Sequence, residues 1–296
     1  MEVRYCPRLV RRPARFVMDL LVLSRPAASL CAGTQILIGA HLTSHAGRSA
    51  VNGASVLREG IAILLVVAAV NVVNDIVDVR ADAISRPGRP LPAGRVSTLA
   101  AWRLAGVHGL LAMVLSVGVP TGLEVTLILL LLGLCYSCLL KGTVLVGNLV
   151  VALLAATPIV YGGWLGGAQA VPVLVAAVMI FLFMFAFEVL KTIRDVVADR
   201  AADYRTVATQ WGIRSTSAIF RASLAAYAVV AATPMLLAGV SSAYAVLMWP
   251  GAVVPSLVVS WLLPVRNSAT AVRLVLRVMA ISWVPGLAAL ALAFRH

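Results

Sequence analysis

Residues 60–82 read GIAILLVVAAVNVVNDIVDVRAD. The first half is a run of apolar residues with no charge. The second half sets Asn71, Asn74, Asp75, Asp78 and Asp82 at steps of three and four. An uninterrupted apolar run near the ~20 residues needed to cross a hydrocarbon core reads as a membrane helix. Residues three or four apart share one helix face. The segment therefore predicts a spanning helix that ends in a stripe of carboxylates.

The same pattern returns about 120 residues later. Residues 170–194 (AVPVLVAAVMIFLFMFAFEVLKTIR) form a second long apolar run, followed by Asp195, Asp199 and Asp203. These three and Asp75, Asp78 and Asp82 are six of the 11 acids in the chain. NDIVDVRAD and RDVVADRAAD are alike, and the second acidic helix is the fourth span after the first, so the two run the same way. This spacing suggests a parallel internal repeat of helix groups.

Composition supports a membrane protein throughout. Hydrophobic residues make up 61% and charged residues 12% of the 296 positions. A soluble domain carries about 25% charged residues. Lipid offers the backbone no partners, so a spanning chain is helical or a closed barrel. The apolar runs are too long for the alternating ~10-residue strands of a barrel. The expected fold is all-α and polytopic. About nine spans are placed near 27–44, 57–75, 98–118, 122–139, 143–163, 170–194, 216–239, 243–264 and 272–294. The whole chain, 1–296, reads as one integral-membrane domain with a basic N-terminal arm over 1–26. That arm carries Arg4, Arg8, Arg11, Arg12 and Arg15. Asp19 and Arg25 interrupt the apolar run that follows, so it reads as a retained juxtamembrane segment and not as a signal peptide.

The formal net charge is +13. Basic residues that flank spans orient them. With the N-terminus inside, the cytoplasmic segments hold the arm, Arg80, Arg86, Arg89, Arg95, Lys141, Lys191, Arg194, Arg200, Arg205, Arg214, Arg266 and Arg273. The opposite segments hold Arg48, Arg58 and Arg295. The expectation is a cytoplasmic N-terminus, an external C-terminus and acidic clusters at the cytoplasmic face. No nucleic-acid partner is expected from this charge. Cys135 and Cys138 make a lone CxxC in an apolar run, without a second pair or a nearby His, so they read as packing residues. His41, His45 and His108 lack metal-ligand spacing.

Two acidic stripes at helix ends are costly. Like charges repel at this spacing, aspartate is a poor helix former, and the helix C-terminus disfavours anions. A bound cation removes these costs. Oxygen donors without His or Cys indicate a hard cation, and Mg²⁺ takes one or two carboxylates and completes its shell from phosphate and water. Two facing clusters are suited to a diphosphate. Arg86, Arg89 and Arg95 lie in the Pro-stiffened segment 85–97, SRPGRPLPAGRVS, close to the first cluster. Arg forks match phosphate geometry. Lys191, Arg194, Arg200 and Arg205 flank the second cluster. Tyr136 and Lys141 sit on the turn between the fourth and fifth spans. Glu188 lies one to two turns before the second cluster, where a charge is a functional candidate. A pair with Lys191 is its alternative role.

These residues resemble the intramembrane prenyltransferases of the UbiA superfamily. Asn74, Asp75, Asp78 and Asp82 match that family's NDxxDxxxD motif, and Asp195 and Asp199 match its DxxxD motif. The segment YSCLLKGTVLVGNLVVALLAATPIVYGG is similar to the middle of members that build ether lipids. In those members the second motif carries further acids and an Arg before the Glu. Here Phe187, Thr192, Arg194 and Val197 stand at those places, which counts against a glycerol-phosphate acceptor and leaves an aromatic one open beside a lipid-like one. The resemblance implies a helical bundle around a central cavity open to lipid. It implies Mg²⁺ on Asn74, Asp75, Asp78, Asp195 and Asp199, and transfer of a prenyl group from an allylic prenyl diphosphate to an electron-rich hydrophobic acceptor. Tyr136, Lys141, Lys191, Arg86 and Arg205 are expected to steady the leaving diphosphate, and Asp82 or Asp203 to take the proton. A terpene cyclase on the same scaffold shares these motifs. A cation-coupled transporter fits less well, because transporter sites lie near the bilayer midplane on broken helices.

Overall fold

The structure is a computed structural model that describes residues 13–43, 51–167, 171–236, 240–261 and 269–293. Arg4, Arg8, Arg11, Arg12, His45, Arg48, Arg266 and Arg295, which entered the orientation argument or the search for ligands, lie outside them.

The described residues are helical almost throughout. In chain order the helices are α1 (Pro13–Ser24), α2 (Pro26–Thr43), α3 (Gly53–Val77), α4 (Val79–Ser85), α5 (Thr98–Ser116), α6 (Gly122–Cys135), α7 (Val146–Leu165), α8 (Val171–Ala201), α9 (Val207–Gln210), α10 (Gly212–Ala232), α11 (Ser242–Met248), α12 (Val254–Ser260) and α13 (Ala269–Ala291). A π-helical turn, Tyr136–Leu140, extends α6, and another, Trp249–Val253, joins α11 to α12. Pro250 and Pro255 each remove a backbone donor in that second region. Among the described residues, eight helical stretches are long and apolar enough to cross a membrane. The bent pair α1–α2, with 50° between its halves, makes a ninth. The nine expected spans all have a helical counterpart. The chain is an integral membrane protein.

Caps begin two of the helices that frame the site. The Asn52 side chain accepts from the Ser55 N–H at 2.9 Å before α3. The Ser97 hydroxyl accepts from the Ala100 N–H at 3.2 Å before α5. Such caps satisfy donors that the first turn leaves free.

Small residues set the closest crossing. Membrane helices gain little from apolar burial against each other and rely on close packing. A Cβ at Gly162 on α7 would stand 2.2 Å from the Ile36 carbonyl of α2, and one at Gly39 would stand 2.1 Å from the Ile159 carbonyl. The Thr43 hydroxyl lies 3.1 Å from the Gly163 carbonyl and also 3.1 Å from that of Ala40. We expect Gly162→Ala to push α2 and α7 apart and to destabilise the protein by at least the ~1–3 kcal/mol typical of overpacking. A thermal melt in detergent would read this as a lowered midpoint, with Gly106→Ala, where a Cβ meets open space, as the control.

Two main clusters of buried side chains fill the bundle. One joins α2, α3, α5, α6 and α7 through residues such as Ile36, Ile63 and Leu129. The other joins α7, α8 and α10–α13 through Ile159, Met179, Phe183 and Phe220. Exposed apolar residues such as Leu110, Leu131, Ile281 and Val284 cover the outer faces, as expected where the solvent is lipid. A third, smaller cluster packs α1 and the 86–97 loop over the end of α3 through Leu23, Val72, Leu91 and Val96.

Candidate active site

The acidic end of α3 does not continue as one straight helix. α3 stops at Val77, Asp78 forms the joint, and α4 follows. The backbone stays connected, since the Asp78 N–H donates to the Asn74 carbonyl at 3.0 Å and the Asp82 N–H to the Asp78 carbonyl at 2.8 Å. Asn74 and Asp75 thus lie in the last turn of α3, and Asp82 lies on α4. The carboxylates of Asp75, Asp78 and Asp82 are 3%, 4% and 1% exposed. Burial of three anions this close needs compensating charge.

Basic side chains supply that charge. Asp75 pairs with Arg89 at 2.9 Å and with Arg25. Arg25 also donates to Asn71 at 3.2 Å. Lys141 donates to Asn74 Oδ1 at 2.7 Å and pairs with Asp78. Asp82 meets Arg89 at 2.7 Å and Arg86 at 3.0 Å. Arg86 reaches on to Asp195 at 3.4 Å. Arg194 donates to both carboxylate oxygens of Asp195, at 2.7 and 2.6 Å. The Arg86 guanidinium therefore joins the two acidic clusters, which places α4 beside the end of α8.

The rest of the expected residues fall into two groups. Tyr136, on the π-turn, lies inside the site: the charges acting on its ring are Glu188, Asp78, Arg25 and Asp199. Asp199 faces Asp195, Thr206, Lys141 and Asp78. The others stand apart. α8 ends at Ala201, and Asp203 lies beyond it with φ 56°. Three carboxylates in register were expected on one α8 face, and the third leaves the helix. The macrodipole disfavours an anion at this end, and aspartate tolerates the left-handed region better than most residues. Asp203 is exposed and, with Arg80 and Tyr204, lines a cavity of about 290 Å³ between α4 and the end of α8. The Arg205 side chain is also exposed, while its backbone N–H donates to the Gly142 carbonyl at 3.1 Å. Lys191, expected on the diphosphate, instead meets both oxygens of Glu188 at 2.8 Å. Arg95, expected beside the first cluster, pairs with Asp19 of α1 at 3.0 Å.

Arg25 and Tyr204 are site residues that sequence patterns did not reveal. Arg25 is a single cation at the α1–α2 joint, held there with φ 45°. Tyr204 follows Asp203 in a turn closed by its own N–H on the Asp199 carbonyl at 2.8 Å. Burial, then the carboxylates of Asp78, Asp199 and Asp82, hold its phenol above the ordinary tyrosine range. It remains a neutral donor at physiological pH.

The donor set fits a hard cation together with a phosphate ligand. All of the donors are oxygens, and Asp78 Oδ1 is buried without a partner. Among the described residues no three acidic, His or Cys side chains converge tightly enough to hold a metal alone, because Arg and Lys side chains stand between the carboxylates. Mg²⁺ suits this, since it usually binds one or two protein carboxylates and takes phosphate oxygens and water for the rest.

Comparison with known proteins agrees with this fold. The family model for the UbiA prenyltransferase family matches residues 35–294. A digeranylgeranylglyceryl phosphate synthase of Methanoregula boonei is 37% identical over 224 residues, covering 74% of this chain and 78% of its own. A solved UbiA homologue of Aeropyrum pernix K1, in its apo form, superposes with a TM-score of 0.71 at 18% identity, covering 90% of this chain and 97% of its own. Another from Archaeoglobus fulgidus, bound to DMAPP and Mg²⁺, gives 0.64 at 16% identity, covering 92% and 99%. The motif match, the shared bundle and the extent of the alignments lead to one conclusion: this chain is a prenyltransferase of the UbiA family.

Proposed function

We propose that the protein transfers a prenyl group from an allylic prenyl diphosphate to the hydroxyl of a lipid-like acceptor of the glyceryl phosphate kind, with Mg²⁺ as cofactor. The observation that carries this reading is the Arg86 bridge at 3.0 Å to Asp82 and 3.4 Å to Asp195. It brings two oxygen-donor clusters to one place beside Lys141, Tyr136, Arg25 and Arg89. The relatives' names supply the acceptor class. Of the four positions that differ from ether-lipid members, Val197 is 69% exposed and Thr192 hydrogen-bonds its own helix at Val189. Those two differences leave the centre of the site untouched.

Asn74, Asp75, Asp78, Asp195 and Asp199 are the residues to hold Mg²⁺. What Mg²⁺ supplies when bound is neutralisation of the charge that builds on the departing diphosphate. The chain's own groups do the rest. Arg25, Arg86, Arg89 and Lys141 already lie on the carboxylates, so they are placed to turn onto the diphosphate oxygens when it arrives. Arg forks and a lysine point charge are both suited to phosphate. Tyr136 donates a hydrogen bond from within the site. The allylic C–O bond breaks with its electron pair on the diphosphate, and the apolar bundle below keeps water from the cation. Charge asymmetry supports a site at the cytoplasmic face, with the N-terminus inside and the C-terminus outside. The whole of 1–296 acts as one domain.

The test is diphosphate release from allylic donors of several chain lengths, in detergent, with and without a prenylglyceryl phosphate acceptor. The proposed reaction forms the ether only when the acceptor is present. Equal release without acceptor, with cyclic hydrocarbon products, would instead establish a cyclase.

A further inference from the structure

Glu188 is a carboxylate inside a membrane-spanning helix and lies outside the diphosphate site. It is 7% exposed. It stands on α8 seven residues before Asp195, about 10 Å deeper along the helix axis at 1.5 Å per residue. Two helical turns separate them, so Glu188, Asp195 and Asp199 share one stripe. That stripe faces the interior, where a donor chain hanging from a diphosphate at Asp195 has to lie. Both Glu188 oxygens meet Lys191 Nζ at 2.8 Å. Glu188 and Asp78 are both among the charges that act on Tyr136. The Glu188–Lys191 pair thus sits beneath the acidic clusters on the same side as Tyr136.

A buried ion pair in a membrane helix is expensive and marks function more often than packing. The reaction leaves one need unmet. When an acceptor hydroxyl attacks the allylic cation, its proton has to go to a base. Asp75, Asp82 and Asp195 are each clamped by cations, and Asp203 lies outside on the exposed turn. Asp78, held by Lys141, and Asp199 belong to the proposed metal site. Glu188 is also paired. It nevertheless lies on the bundle side of the clusters, toward which the prenyl chain runs.

We propose that Glu188 is the general base of the transfer, accepting the proton of the acceptor hydroxyl, with Lys191 as the residue that positions it. This rests on the transferase reading above. The balance is complete. The donor C–O bond breaks with its electrons on the diphosphate. The acceptor oxygen forms the new C–O bond, and its proton moves to a Glu188 oxygen. The attacking oxygen becomes a dialkyl oxonium, acidic enough to give up its proton even to a carboxylate paired with an ammonium. Lys191 keeps the carboxylate ionised within the bundle and fixes both of its oxygens.

The experiment measures ether formed per diphosphate released, with Mg²⁺, a C20 allylic diphosphate and a prenylglyceryl phosphate. In Glu188→Gln this ratio is expected to fall about 100-fold, at the lower end of general-base effects. The donor KM is expected to stay within a few-fold of the original, and free prenyl alcohol should replace the ether. Glu188→Asp should recover part of the ratio. Glu188→Gln combined with Lys191→Met leaves no charge unpaired, so it tests the same ratio if the single variant does not fold. An unchanged ratio in a folded Glu188→Gln or in the double variant would overturn the proposal. So would equal losses of ether and diphosphate release, which would mark a structural role. Absence of Mg²⁺-dependent release in the unaltered protein would instead overturn the transferase reading itself.

Discussion

Asp78→Asn and Asp195→Asn are each expected to lower diphosphate release about 10²–10³-fold, the scale seen when one preorganised stabiliser of transition-state charge is removed. Both residues stand at the meeting of the clusters. Asp78 binds Lys141 with one oxygen and leaves the other buried and unpartnered. Asp195 takes Arg194 and Arg86. Asparagine keeps the shape and removes the charge, so the variants should fold. Single-turnover release from a donor at saturating concentration would read the effect. Asp203→Asn is the matching control, because Asp203 lies off the helix on an exposed turn. It is expected to stay within a few-fold of the original. A loss at Asp203 equal to that at Asp195 would contradict the placement.

Removing divalent metal should have an effect at least as large. With a chelator in excess, release should drop to background, and Mg²⁺ should restore it. The reason lies in the charge balance of the site. Each buried carboxylate of the first cluster already has a cationic partner. A diphosphate brings several negative charges and draws those cations away. Without a divalent ion the carboxylates would be left buried and uncompensated, which costs several kcal/mol. Mg²⁺ and donor should therefore bind together and only weakly apart. Donor with Mg²⁺ at about 100 times its Kd should stabilise the fold by ~2.7 kcal/mol. Donor with chelator should leave the melting midpoint unchanged.

Much of the fold could be read from the chain because lipid makes the rules strict. Apolar length decides a span whatever the neighbours do. The nine runs read from the sequence correspond to eight long helices and the bent α1–α2 pair. The NDxxDxxxD and DxxxD spacings include Asp82 and Asp195, which meet at Arg86. What could not be read depends on partners distant in sequence. Arg25 looks like a charge that interrupts an apolar run, and only the fold brings it to Asp75, 50 positions away. Asp19 looks like a fault in the first helix, yet it takes Arg95 from the loop after α4. The stripe rule placed Asp203 beside Asp199 because periodicity assumes that the helix continues, and α8 stops at Ala201. The Lys191 pair with Glu188, three residues away, is local and was one of the two roles its spacing allowed.

The most direct measurement is calorimetric binding of a prenyl thiolodiphosphate, which resists ionisation, to the detergent-purified protein with Mg²⁺. The unaltered protein, Asp78→Asn, Asp195→Asn and the double variant form one cycle. If the two clusters hold one diphosphate, each single change weakens binding at least tenfold, and the double variant loses less than the sum of the two in free energy. Binding that survives chelation, or that Asp195→Asn leaves intact, would show that the second cluster does not share the ligand of the first.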